Sequence, residues 1–130
     1  MLRRARLALA AILIGGVLAA CSSGSGTPGP SSGVGGSGQV VNVQTSEFRF
    51  DPSSITLPAG KVTFHVRNVG SAEHEFEIFK GEEAVDEIEG LVPGLEKDLT
   101  VDLPAGTYSI ECRLPGHLEQ GMKATLTVTP

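Results

Sequence analysis

Residues 107–128 read TYSIECRLPGHLEQGMKATLTV. Two parts of this stretch alternate with a period of two, the spacing of a β-strand buried on one face. Tyr108, Ile110 and Cys112 alternate with Thr107, Ser109 and Glu111, and Met122, Ala124, Leu126 and Val128 alternate with Lys123, Thr125 and Thr127. Cys112 is therefore expected to face the core at the end of one strand, and Met122 at the start of the next. Between them Arg113–Gly121 reads as a loop that carries His117.

The same period continues outward. Val62, Phe64 and Val66 share one face of Lys61–Arg67, and Leu99, Val101 and Leu103 share one face of Lys97–Leu103. His74, Phe76 and Ile78 alternate with Glu73, Glu75 and Glu77; the acids are expected to face water, which points His74 inward. Leu-Pro-Ala-Gly occurs at Leu57–Gly60 and Leu103–Gly106, each time just before a strand, and both copies read as turns. No helical period interrupts Gln39–Pro130. The reading is an all-β sandwich or barrel of seven or eight short strands, in one modest domain over residues 40–130.

The chain ahead of that domain has a different character. Arg3, Arg4 and Arg6 form a basic start, and Leu7–Leu18 is an apolar run too short to span a bilayer comfortably. Leu18-Ala19-Ala20-Cys21 resembles the lipobox of bacterial lipoprotein signals. The resemblance implies that residues 1–20 are removed, that Cys21 is lipidated, and that the protein is extracytoplasmic, anchored to a bacterial membrane. Ser22–Gly38 is almost wholly Gly, Ser, Thr and Pro, a flexible tether with a reach on the order of 20–25 Å; residues 21–39 thus link anchor to domain.

Charge excludes one class of function. The whole chain has 10 Lys+Arg against 15 Asp+Glu, a net of −5. Removing the three arginines of residues 1–20, which hold no acid, leaves seven basic against fifteen acidic residues, a net of −8. An acidic chain repels nucleic acid and favours a basic protein partner.

The two cysteines divide into Cys21 and Cys112. With Cys21 lipidated, Cys112 stands alone in an exported protein, where thiols usually pair, so it needs another role. Taken singly, an inward His is more often a hydrogen-bonded core residue, and a Met or Cys more often packing. Taken together, one thiolate, two imidazoles and one thioether form the ligand set of a blue-copper electron-transfer site. His65 shares a strand face with Lys61 and Arg67 and reads as surface.

Two segments carry a family resemblance. Asn68-Val69-Gly70-Ser71-Ala72-Glu73-His74 resembles the cupredoxin N-x-G-x-x-x-H segment, and Cys112–Met122 resembles its C-x₄-H-x₄-M loop, with Pro115-Gly116 before the second His. The resemblance runs from about Val40 to Val128 and includes Phe48–Pro52 and the Pro58-Ala59-Gly60 turn. It implies an eight-stranded Greek-key sandwich with one type 1 copper ion at one end. His74 and His117 would coordinate it through nitrogen, Cys112 as thiolate and Met122 axially. Two residues depart from the frequent pattern: Glu75 stands where Asn often follows the first His, and Arg113 where a small hydroxyl residue often follows the Cys, each placing a charge near the site. The Asn68–Pro104 region also resembles the cupredoxin-like domain of bacterial iron-uptake lipoproteins.

The resulting expectation is a monomeric one-electron carrier, not an enzyme, because four side-chain ligands leave no open position for substrate. Its redox partner would be a basic protein such as a cytochrome or oxidase. Leu114, Pro115 and Leu118 would form an apolar docking rim around His117. The acidic run with Glu82, Glu83 and Glu87 reads first as a solvated hairpin and second as a docking patch. The alternative function is copper or iron handling: storage, delivery or an accessory to uptake.

Overall fold

The computed structural model describes residues 38–130, and among these it is all-β without a helix. The lipobox, Cys21 and all of the tether but Gly38 lie outside the described residues. Nine strands follow in order: β1 Gln39–Ser46, β2 Arg49–Asp51, β3 Ser54–Pro58, β4 Gly60–Asn68, β5 His74–Lys80, β6 Glu83–Leu91, β7 Glu96–Leu103, β8 Gly106–Glu111 and β9 Lys123–Thr129. The expected count of about eight is exceeded by β2, a strand of three residues that pairs with the end of β1.

The strands form two sheets, β2-β1-β4-β7 and β3-β9-β8-β5-β6. β1 runs parallel to β4 and β3 parallel to β9; the other pairs are antiparallel. The chain crosses between sheets from β2 to β3, β3 to β4, β4 to β5, β6 to β7 and β7 to β8, as in a Greek-key sandwich. Alternation explains the core. Val62, Phe64 and Val66 on β4 are fully buried and meet Phe76 and Ile78 from the opposite sheet in one cluster. Phe64 and Phe50 both pack against Phe76, with ring centroids 5.3 and 5.9 Å apart.

The ends of β4, β6 and β8 and the starts of β5, β7 and β9 fall at one end of the sandwich. His74 opens β5, Cys112 follows β8 and Met122 precedes β9, so topology gathers them there. The far end holds the Gly81-Glu82 turn between β5 and β6.

One expectation fails. Glu77 and Glu111 have the outward parity, yet both are buried. They are cross-strand partners on the outer face of the five-stranded sheet, and that face has its own cover. The Arg113 guanidinium lies 3.8 Å from the centre of the Phe79 ring, and Phe79 is buried although it is outside the main core cluster. Arg113 and Lys123 both bond Glu111, at 3.1 and 3.0 Å. Burial alone would raise the Glu111 carboxyl, but the bonds from Lys123, Ser109 and Arg113 outweigh it and hold it below its ordinary value. At Glu77 burial, followed by the hydrogen bond to Glu75, outweighs the opposing pull of Arg113 and pushes the carboxyl up.

Candidate metal centre

Two loops and the start of one strand build the centre. The first loop, Val69–Glu73, is closed by Asn68, whose side chain is wholly buried. Asn68 Nδ2 donates to the carbonyls of Ala72 and Leu91 at 2.7 and 2.6 Å, and Oδ1 accepts from the Gly70 amide at 2.8 Å. Its backbone continues the network, with its amide bonded to the Leu95 carbonyl and its carbonyl to the Gly94 amide. A short amide side chain serves here because it both donates and accepts within one turn. This fixes the approach to His74.

The second loop, Arg113–Gly121, is pinned at its base. The Cys112 amide donates to the Met122 carbonyl at 3.2 Å, and the Met122 amide donates to the His117 carbonyl at 3.0 Å. Inside it the His117 amide donates to Leu114 and the Gly121 amide to Leu118. The result places His117 over the end of the core.

Three donor atoms converge. His74 Nδ1 lies 3.4 Å from His117 Nδ1, and Cys112 Sγ lies 3.3 Å from the same His117 atom. One ligand atom from each of the three residues lies within 4.8 Å of the others. His74 and Cys112 are buried and His117 is half-buried. Two imidazole nitrogens that share one first-row metal ion at about 2.0 Å each are held roughly 3.3–3.5 Å apart at tetrahedral to trigonal angles. The observed spacing matches that requirement, so the residues fit a shared ion. Met122 is fully buried in the core cluster and tied by its backbone to both Cys112 and His117.

The electrostatics suit a metal rather than a proton. Burial, reinforced by repulsion from His117, lowers the His74 pKa and keeps the ring neutral, the form that ligates. His74 Nε2 is buried without a hydrogen-bond partner among the described residues. Burial raises the Cys112 thiol, partly offset by the Glu75 amide that donates to Sγ at 3.3 Å. A metal ion would therefore displace a proton from sulfur.

The two departures from the family pattern take defined places. Glu75 serves Sγ through its backbone, which any residue there would supply, while its side chain turns to Glu77 on the outer face. Arg113 was expected to bring charge to the site; instead it turns to the outer face, over Phe79 and onto Glu111.

Other expected residues divide. Leu114 and Leu118 are half-buried and Pro115 is exposed, in the loop that carries His117. Val69, Val92 and Leu95 are also exposed, in the connections β4–β5 and β6–β7 at the same end of the sandwich. Glu82 and Glu83 sit at the far end, about 20 Å from His74 by six residues of strand at ~3.3 Å each. Glu87 pairs with Glu77 and is nearer, about 10 Å along β5. β6 is an edge strand, and its exposed acids also guard that edge against pairing with another chain. His65 is on the outer face of the four-stranded sheet, bonded to Asp98 and beside Glu96, away from the donor trio.

Residues 10–128 match the family model described as a cupredoxin-like domain. The chain is 36% identical over 91 residues to the iron uptake system component EfeO of Yersinia pestis, covering 70% of this chain but only 23% of the relative. It is similar in fold to reduced auracyanin from Roseiflexus castenholzii (24% identity, 73% of this chain and 100% of that one, TM-score 0.67). It is also similar in fold to auracyanin A, a blue copper protein from Chloroflexus aurantiacus (20% identity, 69% and 99% coverage, TM-score 0.59).

Proposed function

This chain belongs to the cupredoxin-like family, and from that premise we propose that it holds one type 1 copper ion and carries single electrons between redox partners outside the cytoplasm. The observation that carries the reading is the convergence of two Nδ1 atoms and one Sγ in a buried site. Met122, buried and tied by its backbone to Cys112 and His117, would complete the set with its thioether sulfur. Copper, when bound, supplies a one-electron couple. Cys112 contributes the sulfur, with the Glu75 amide donating to it and moderating its charge. His74 and His117 supply imidazoles that serve both oxidation states.

His117 is the partly exposed member of the trio and gives the shortest way out to a partner. Leu114, Pro115 and Leu118 exclude water around it and permit close, short-lived contact. A basic partner is drawn in by the net negative surface, with the β6 acids steering from the flank. Glu82 and Glu83, about 20 Å from the centre, act on the encounter rather than in the contact. Lipidation of Cys21 would tether the domain to a bacterial membrane, in keeping with the lipobox in the sequence.

The likeness to EfeO favours a second reading, an accessory to metal uptake that handles copper or iron. One experiment separates the two. The protein is loaded with Cu(II), examined by visible absorption and electron paramagnetic resonance, then reduced in the presence of a Cu(I) chelator. A carrier shows intense thiolate-to-copper colour and keeps its copper through repeated cycles. A colourless protein at full copper occupancy rejects the type 1 site, and rapid loss of Cu(I) with Cu(II) retained rejects the carrier.

A further inference from the structure

The turn between β1 and β2 touches the supports of both imidazoles. Glu47 Oε1 accepts hydrogen bonds from the Ser71 amide, from Ser71 Oγ at 2.8 Å and from the Ala72 amide at 3.1 Å. These groups belong to the loop that delivers His74. Gly70 lies against the same carboxylate: a Cβ there would meet the two Glu47 oxygens at 2.8 and 2.9 Å and Ser46 Cα at 3.0 Å. A side chain at this position would have to push the Glu47 carboxylate off its place, with Ser46 Cα close behind it.

The next residue reaches the other imidazole. The Phe48 ring stands edge-on to His117, with centroids 5.3 Å apart and planes at 88°. Phe48 does this from a φ of 60°, a left-handed backbone that a bulky residue keeps only where its surroundings over-determine it. Glu47 is exposed, so no burial of apolar surface explains its placement. Its carboxyl is held down to about 2, first by the Ser71 amide.

We infer that Glu47 and Phe48 are positioning residues for the metal centre: Glu47 fixes the backbone ahead of His74, Phe48 fixes the His117 ring, and one rigid turn holds the two nitrogens at their mutual distance. Neither supplies a donor atom. The inference rests on the copper reading of the site, but its Glu47 half can be examined without metal.

The test uses the full chain and four variants. Copper(II) removal by a competing chelator is timed, and amide hydrogen exchange at Ser71 and Ala72 is followed in metal-free protein. Loss of groups that orient metal ligands typically costs 10–100-fold in affinity. Glu47→Ala should speed copper removal at least about tenfold and deprotect both amides, and Glu47→Gln, which keeps an acceptor oxygen, should restore most of both. Phe48→Leu should speed removal about tenfold with the amides still protected, and Phe48→Tyr should not. Removal rates within about twofold of the parent for both Glu47→Ala and Phe48→Leu would overturn the inference. Unchanged amide exchange in Glu47→Ala would also overturn it. If the parent binds no copper, the copper reading falls by itself, and the amide exchange still decides whether Glu47 clamps the His74 loop.

Discussion

Replacing Asn68 with Ala removes three hydrogen bonds from a wholly buried side chain. The Gly70 amide and the carbonyls of Ala72 and Leu91 then lose their partner. At a net worth of about 1 kcal/mol for each bond, the loss is about 3 kcal/mol, and more if water cannot reach the stranded groups. For a domain of this size that is a fall of roughly 12–24 °C in Tm. Asn68→Asp is the sharper probe, since it keeps the shape and the acceptor facing Gly70. It places a carboxylate oxygen where Nδ2 now meets two carbonyls at 2.7 and 2.6 Å. At neutral pH it should be at least as destabilising as Ala. Burial and the facing carbonyls raise the new carboxyl, so stability should recover as pH falls and the protonated group donates once more. Urea unfolding, read at constant m, measures both variants. If Asn68→Ala costs under about 1 kcal/mol, or if Asn68→Asp is the more stable of the two at neutral pH, the amide does not close these loops.

Three further outcomes follow from the site and its surroundings. Cys112→Ser should abolish the charge-transfer colour of the copper-loaded protein, while Met122→Leu should keep much of it, since a thioether would be the weakest of the four ligands; absorption spectra decide. The Asp98 hydrogen bond raises the His65 pKa, so His65 adds stability that is full below its unfolded value of about 6.5 and is lost as pH rises through the folded value. Nuclear magnetic resonance titration should show the raised value, and Asp98→Asn should lower it, with Glu96 still beside the ring. Electron exchange with a basic partner should slow as salt rises; charge reversal at Glu87 should weaken that dependence more than reversal at Glu82 or Glu83, which lie farther from His117, and Leu118→Glu should slow transfer at any salt.

Period-two alternation made much of the fold readable, because in a sandwich a strand's inward residues must be apolar or chemically occupied. It gave the facing of Val62, Phe64 and Val66, and of His74, Cys112 and Met122, from local pattern alone. Parity states which face a side chain takes; it says nothing about what covers that face. Glu77 and Glu111 are outward by parity and buried in fact, since Arg113 and Lys123 lie across them. The same limit hid the fate of Arg113, whose charge is spent on Glu111 and Phe79 rather than on the donor trio. Phe48 stood in the stretch Phe48–Pro52 that resembles the family, but nothing local to Glu47 or Phe48 signalled contact with the imidazole loops. Glu47 reaches Ser71 across 24 residues, and Phe48 holds a left-handed backbone that composition would assign to glycine or asparagine. The visible trace was Gly70, an unexplained glycine in the loop before His74. Its missing Cβ is space filled by a carboxylate from another strand pair. A glycine whose φ is ordinary but whose Cβ has no room marks a close approach by something distant in sequence. Here that something is the turn that faces both imidazoles.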